Sequence, residues 1–174
     1  HKQSQNTINM EVKTVGVACD HAGFALKKYV LQYLEEHGYA YKDYGTWSDA
    51  SVDYPDFGHA LAEGIESGEV YPGIGICGSG EGIAMTLNKH QGVRAGLAWI
   101  PEISHLIRQH NDANVLVMPG RFIDNKMAEK IMDEFWDGAT VAVAGKDFKG
   151  STKELGMRFL LYGAMAAYFP RTTG

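Results

Sequence analysis

The chain lacks several features that would fix its class at once. Its two cysteines, Cys19 and Cys77, cannot build a disulfide framework, and neither stands in a CxxC pair. No HxH, HExxH or paired-cysteine spacing occurs, so the common metal-binding patterns are missing. Basic residues are outnumbered, 16 Lys and Arg against 21 Asp and Glu. The resulting net charge of −5 argues against a duplex nucleic-acid binder, which needs a basic face to displace counterions. No apolar run reaches the roughly eighteen residues of a membrane span. The opening stretch, His1 to Met10, is polar rather than a signal core. It reads as a disordered leader or cloning remnant over residues 1–12, with Met10 a candidate native start. With no secretory signal and no disulfide pattern, a cytoplasmic location is expected.

What remains is the composition of a globular protein, 45% apolar and 21% charged over 174 residues, enough for one domain with a real core. Many of the 21 glycines fall where an apolar run ends. Thr14–Cys19 reads as a buried strand, followed by a helix with Leu26, Val30, Tyr33 and Leu34 on one face and Lys27, Lys28, Glu35 and Glu36 elsewhere. Gly38 closes that helix. A second strand covers Ala40–Tyr44, and Pro55 starts a helix near Asp56 that ends at Ser67–Gly68. Gly73–Ile76 is a third strand, broken by Cys77-Gly78-Ser79-Gly80-Glu81-Gly82 before a helix through Asn88. Arg94–Trp99 is a fourth strand, and Pro101 opens a helix to about His110. Val115–Met118 is the fifth, and Asp124 caps a helix bearing Met127, Ile131 and Phe135.

Alternating strands and helices imply a parallel sheet covered on both faces, because crossovers place helices there with one hand. The expected fold is a three-layer α/β/α, Rossmann-like domain over residues 13–136, with a five-stranded parallel sheet. Residues 137–174 form a divergent tail with Leu155, Phe159, Leu160, Tyr162, Met165 and Phe169, read as partly helical and in contact with another subunit.

Ligands of open parallel sheets bind outside the carboxyl ends of the strands. The residues expected there are Asp20 and His21, the Cys77–Gly82 loop, Trp99, Gly120 and Arg121, with His110 and Asn111 near the same edge. The glycine loop suits an anion, because its N–H groups approach a ligand closely, although a tight turn without a ligand accounts for it equally well. It is neither GxGxxG nor a Walker loop. Cys77 reads either as core packing or as a thiol able to ionise among N–H donors; Cys19 reads as structural. His21 and His110 have a surface reading and a proton-transfer reading. Arg121 is either a surface charge or a fork for carboxylate or phosphate.

The ordered motifs Cys19-Asp20-His21-Ala22-Gly23, Asp43-Tyr44-Gly45-Thr46, Val52-Asp53-Tyr54-Pro55-Asp56, Ile76–Gly82, Asn88-Lys89, Gly92-Val93-Arg94-Ala95, His110–Asn114 and Gly120-Arg121 settle which reading is preferred. Together they resemble the type B ribose-5-phosphate isomerases and their galactose-6-phosphate isomerase relatives, from about Lys13 to Trp136. The resemblance implies metal-independent, cofactor-free interconversion of an aldose phosphate and a ketose phosphate through a cis-enediolate. It implies Cys77 as the base between C1 and C2, His110 as the group that opens the furanose ring, and Ser79 as a proton relay. Backbone N–H groups of Gly78, Gly80, Glu81 and Gly82 would hold the enediolate. Asp20, His21, Tyr54, Asn111 and Arg121 take substrate-contacting positions. It further implies a homodimer or homotetramer with active sites between subunits, acting on a phosphorylated sugar. A hexose 6-phosphate (galactose or allose) isomerase and a non-catalytic sugar-phosphate or nucleotide-binding module are the alternatives.

Two departures from the family stand out. The family follows its last helix with a phenylalanine–glutamate–glycine–glycine–arginine–histidine stretch and further arginines that bind phosphate. Here Trp136 leads into Asp137-Gly138-Ala139-Thr140, leaving Lys146, Lys149, Lys153 and Arg158 as the tail's candidate replacements. Glu81 stands where many relatives carry an apolar residue, and reads as a first-turn carboxylate rather than an auxiliary base.

Overall fold

The computed structural model describes residues 6–8, 10–138 and 140–142. The chain divides into two units, Asn9–Thr140 and the remainder. Outside the main unit the described segments are β1 (Asn6–Ile8) and the end of β7 (Thr140–Ala142), which pair as a two-stranded sheet. Of the expected leader, Asn6–Ile8 is described as a strand. The tail helix and the lysines and arginine beyond residue 142 lie outside the described residues.

The main unit is built on five parallel strands, β2 (Val15–Cys19), β3 (Tyr41–Asp43), β4 (Gly73–Cys77), β5 (Ala95–Leu97) and β6 (Val115–Pro119), in the order β3-β2-β4-β6-β5. Every residue of β2, β4 and β6 is buried, as expected where helices cover both faces of a parallel sheet. Side chains alternate between two cores. Val15, Val17, Ile74, Ile76, Leu116 and Met118 face one, with Leu26, Val30 and Leu34 of α1 (Phe24–Glu36) and Ile131 and Phe135 of α5 (Asn125–Asp137). Ala18, Cys77, Val115 and Val117 face the other, with Leu61 and Ile65 of α2 (Tyr54–Glu66) and Ile83 and Leu87 of α3 (Glu81–Leu87). Helix α4 (Pro101–Gln109) packs on α5. This is the three-layer α/β/α arrangement that the strand–helix alternation predicts.

The element boundaries differ at two places for physical reasons. Helix α2 begins at Tyr54, ahead of Asp56, because Asp53 is its extended N-cap and Pro55 fits the first turn, where a missing N–H costs nothing. Strand β5 shrinks to three residues because it is the edge of the sheet and pairs only with β6. Its outer side is occupied at Ala95, whose N–H donates to Asn88 Oδ1 (2.8 Å) and whose carbonyl accepts from Asn88 Nδ2 (2.9 Å). At the start of α5, Asp124 Oδ1 accepts from the Met127 N–H at 2.7 Å, the expected cap.

Lys27 is a correction. A lysine on an amphipathic helix is expected in water, but this one is 1% exposed. Its ammonium donates to both oxygens of Asp43, at 2.7 and 2.8 Å, and to the Thr46 carbonyl. A buried charge persists only when paired in this way. The pair ties α1 to the loop after β3, where Thr46 N donates to Cys19 O (2.7 Å) and Cys19 N to Gly45 O (2.7 Å).

Candidate active site

Strand β2 lies between β3 and β4, and the chain reverses direction across the sheet there, because α1 leads outward to β3 and α2 returns past β2 to β4. The crevice at the carboxyl ends of β2 and β4 is therefore the switch point where open α/β sheets hold ligands. Three loops meet at it. Asp20 follows β2, and its N–H donates to Ile76 O at 3.2 Å. The Cys77–Gly82 loop follows β4. Gly120 and Arg121 follow β6, donating through their N–H groups to Cys77 O (2.9 Å) and Gly78 O (3.1 Å).

Asp20 is 6% exposed, and its Oδ1 caps the short helical turn His21–Gly23 by accepting from the Gly23 N–H at 3.0 Å. His21 Nδ1 stands 3.0 Å from Val52 O and 3.3 Å from Val52 N. Arg121 is exposed and lies along the loop, its Cδ 3.5 Å from where a Cβ on Gly78 would stand. Tyr54 covers Gly82 so closely that a Cβ there would meet its ring at 2.6 Å. Gly80 has φ +80, a left-handed conformation that glycine adopts without strain, and a Cβ would collide with Leu97 Cδ1 at 2.4 Å. Ser79 Oγ accepts from the Glu81 N–H at 3.3 Å. Ser79 and Glu81 line a cleft of about 370 Å³ with Leu97, Trp99, Pro119 and Phe122. Trp99 and Phe122 are half and three-quarters exposed at its rim.

The two cysteines separate. Cys19 faces the α1–α5 core, with Sγ 3.9 Å from Thr46 O. Burial pushes its thiol up to about 12, against a smaller opposing pull from Lys27, so it stays protonated at neutral pH. This fits the structural role expected for it. Cys77 is also buried, on the other face, at the mouth of the glycine loop. Among the described residues no group of three or more His, Cys, Asp or Glu side chains is arranged to hold a metal ion. No helix among them is long and apolar enough to cross a membrane.

His110 and Asn111 are the main correction. They are not at the carboxyl edge of their own chain. Helix α4 leaves β5 at that edge and runs back, so its nine residues carry His110 about 14 Å away. The turn after α4 sits against the amino ends of the strands. Arg94, just ahead of β5, donates through Nε to Asn111 O (2.6 Å), and Gly73, the first residue of β4, donates to Asn114 O (2.9 Å). Asp20, His21, Tyr54, Ser79, Glu81, Arg121 and the loop glycines are thus brought together around Cys77, and His110 and Asn111 are exposed at the opposite edge. The supporting Lys27–Asp43 pair and Phe122 of the aromatic rim were missed by sequence reasoning, whereas Trp99 was expected there. Asp43 in Asp43-Tyr44-Gly45-Thr46 was the available signal for the pair.

A family described as Ribose/Galactose Isomerase matches residues 15–154. The chain is 41% identical over 128 residues to ribose-5-phosphate isomerase B of Escherichia coli strain K12, covering 74% of this chain and 85% of that protein. Among solved structures, Clostridium thermocellum ribose-5-phosphate isomerase B superposes with a TM-score of 0.79 at 35% identity, over 84% of this chain and 99% of that one. Mycoplasma genitalium ribose-5-phosphate isomerase B, solved with bound ribulose-5-phosphate, gives 0.73 at 33% identity, over 82% and 93%.

Proposed function

Because the chain belongs to the ribose/galactose isomerase family, we propose that it interconverts ribose 5-phosphate and ribulose 5-phosphate through a cis-enediolate, without metal or cofactor, in the cytoplasm. The observation that carries this reading is the meeting of Asp20, His21, Ser79 and Arg121 around Cys77 at the sheet's switch point.

In this reading the Cys77 thiolate takes the C2 proton of the open-chain aldose and returns it to C1. Ser79 moves the proton between the two enediol oxygens. Negative charge develops on those oxygens, so N–H groups of the Gly78–Gly82 loop, fixed before substrate arrives, stabilise the transition state more than the ground state. Arg121 offers a planar fork to phosphate, and Asp20, His21 and Tyr54 hold sugar hydroxyls.

The ring must open first, which needs a group able to give and take protons near pH 7, and His110 has that chemistry. Since His110 and Cys77 lie at opposite edges of one chain, His110 and Asn111 serve the crevice of a second copy. The active unit is then a homo-oligomer, dimer or tetramer, with each site shared. Carboxylate Glu81, at the first turn of α3, plays no part as base, because Cys77 fills that role.

A coupled assay of ribose 5-phosphate conversion with EDTA present tests this. Turnover should persist in the wild type and fall by on the order of 10²–10⁴ in Cys77→Ala. Folded wild type that turns over galactose or allose 6-phosphate but not the pentose would transfer the reading to hexoses. Ligand binding without any turnover would leave a binding module.

A further inference from the structure

The turn that carries His110 is built around a buried guanidinium. Arg108, in the last turn of α4, is 2% exposed and lies over the Phe135 ring, 5.7 Å from its centroid. Its Nη1 donates to Asp112 Oδ1 at 3.1 Å and to the Ala113 carbonyl. The Tyr71 side chain also faces Arg108 and Asp112. Asp112 has φ +48, and among the described residues it is the non-glycine residue in the left-handed region. That reversal folds the chain back, so that Asp112 N donates to Arg108 O (3.3 Å) and Ala113 N to Ile107 O (3.0 Å). From outside, Arg94 holds Asn111 O through Nε and the Asn114 side chain through its backbone N–H (2.8 Å).

A buried guanidinium is a poor device for stability, since desolvation offsets what its bonds return and an apolar side chain would pack α4 as well. A non-glycine residue in the left-handed region adds a further cost. Both costs fall on Arg108 and Asp112, which flank His110 and Asn111 in the turn that presents them to solvent. Resting on the reading that His110 opens the sugar ring, we propose that Arg108 and Asp112 are positioning residues that aim the His110 imidazole at the neighbouring copy's substrate. Neither touches the substrate. Arg108 grips Asp112 and Ala113, Asp112 supplies the reversal, and the direction in which the chain leaves α4 at His110 follows.

Two reactions of one enzyme separate this from a general structural role. Conversion of ribose 5-phosphate starts from a closed ring and needs His110. Exchange of the C1 proton of ribulose 5-phosphate with solvent deuterium starts from an open chain and does not need the ring opening assigned to His110. Asp112→Ala, which removes both the carboxylate and the residue type tolerant of the left-handed region, should slow conversion by on the order of tenfold to a hundredfold while exchange stays at the wild-type rate. Asp112→Asn, which keeps an acceptor and that tolerance, should restore conversion to within about threefold. Arg108→Lys, which keeps charge but loses the fork, should fall between them. Conversion unaffected in Asp112→Ala, or conversion and exchange falling together in both Asp112→Ala and Arg108→Lys, overturns the positioning role and leaves the isomerase reading standing. Wild type that neither converts nor exchanges overturns the isomerase reading and this proposal with it.

Discussion

Cys19 and Cys77 end neighbouring parallel strands, one residue out of register, so their side chains point to opposite faces of the sheet. That single step gives two thiols different surroundings. Cys19 is enclosed by the α1–α5 core, and burial raises it from 9.0 to about 12. A thiol whose proton is held more tightly when folded stabilises the protein fully below its unfolded value. The contribution is lost as pH rises from about 9 towards 12, as the unfolded thiol ionises first. Urea midpoints measured at about pH 8 and about pH 10.5 should therefore differ less in Cys19→Ala than in wild type. The tyrosines Tyr29 and Tyr44, also raised to about 12, leave a residual alkaline slope in both proteins.

At the scale of elements, β5 is one of the two edge strands of the sheet, with β3 the other. An edge strand invites pairing with another chain unless its outer groups are occupied. Asn88, just beyond α3, uses both ends of its amide to fill the outer side of Ala95, as a sixth strand would. It also joins the end of the helix that follows the glycine loop to the sheet. Asn88→Ala should lower the thermal midpoint by the equivalent of about 1–2 kcal/mol. Light scattering should show more association on heating, because the Ala95 N–H and carbonyl become free to pair. If the midpoint and the association are both unchanged, the amide does not guard this edge.

The whole molecule raises the question of where the site is completed. In one chain, α4 separates His110 from the Cys77 crevice, and no rearrangement of a loop can return it without undoing the α4–α5 packing. A site shared between copies makes a quantitative prediction. Cys77→Ala and His110→Ala should each be inactive towards ribose 5-phosphate. After subunit exchange, half of the dimers are hybrids, and each hybrid carries one site with both residues intact. The mixture should recover about a quarter of wild-type activity. No recovery, with exchange demonstrated by mass spectrometry, would place the two residues in separate roles.

The order and type of the main elements were legible in the residues alone. Apolar runs of strand length, helical spacing and punctuation by Gly38, Pro55, Pro101 and Asp124 are local signals, and local sterics and capping act on them in the same way in any fold. The chemistry-bearing motifs were legible too, because they follow strand ends. What only the tertiary structure decided concerns groups whose neighbours are distant in sequence. Lys27 is buried because Asp43 at the end of β3 and Thr46 in the loop after it come to it. Tyr54 covers the glycine loop because α2 packs on α3. His110 lies away from Cys77 because a helix between parallel strands must return to their amino ends, which fixes the edge a residue reaches by where it stands along that helix.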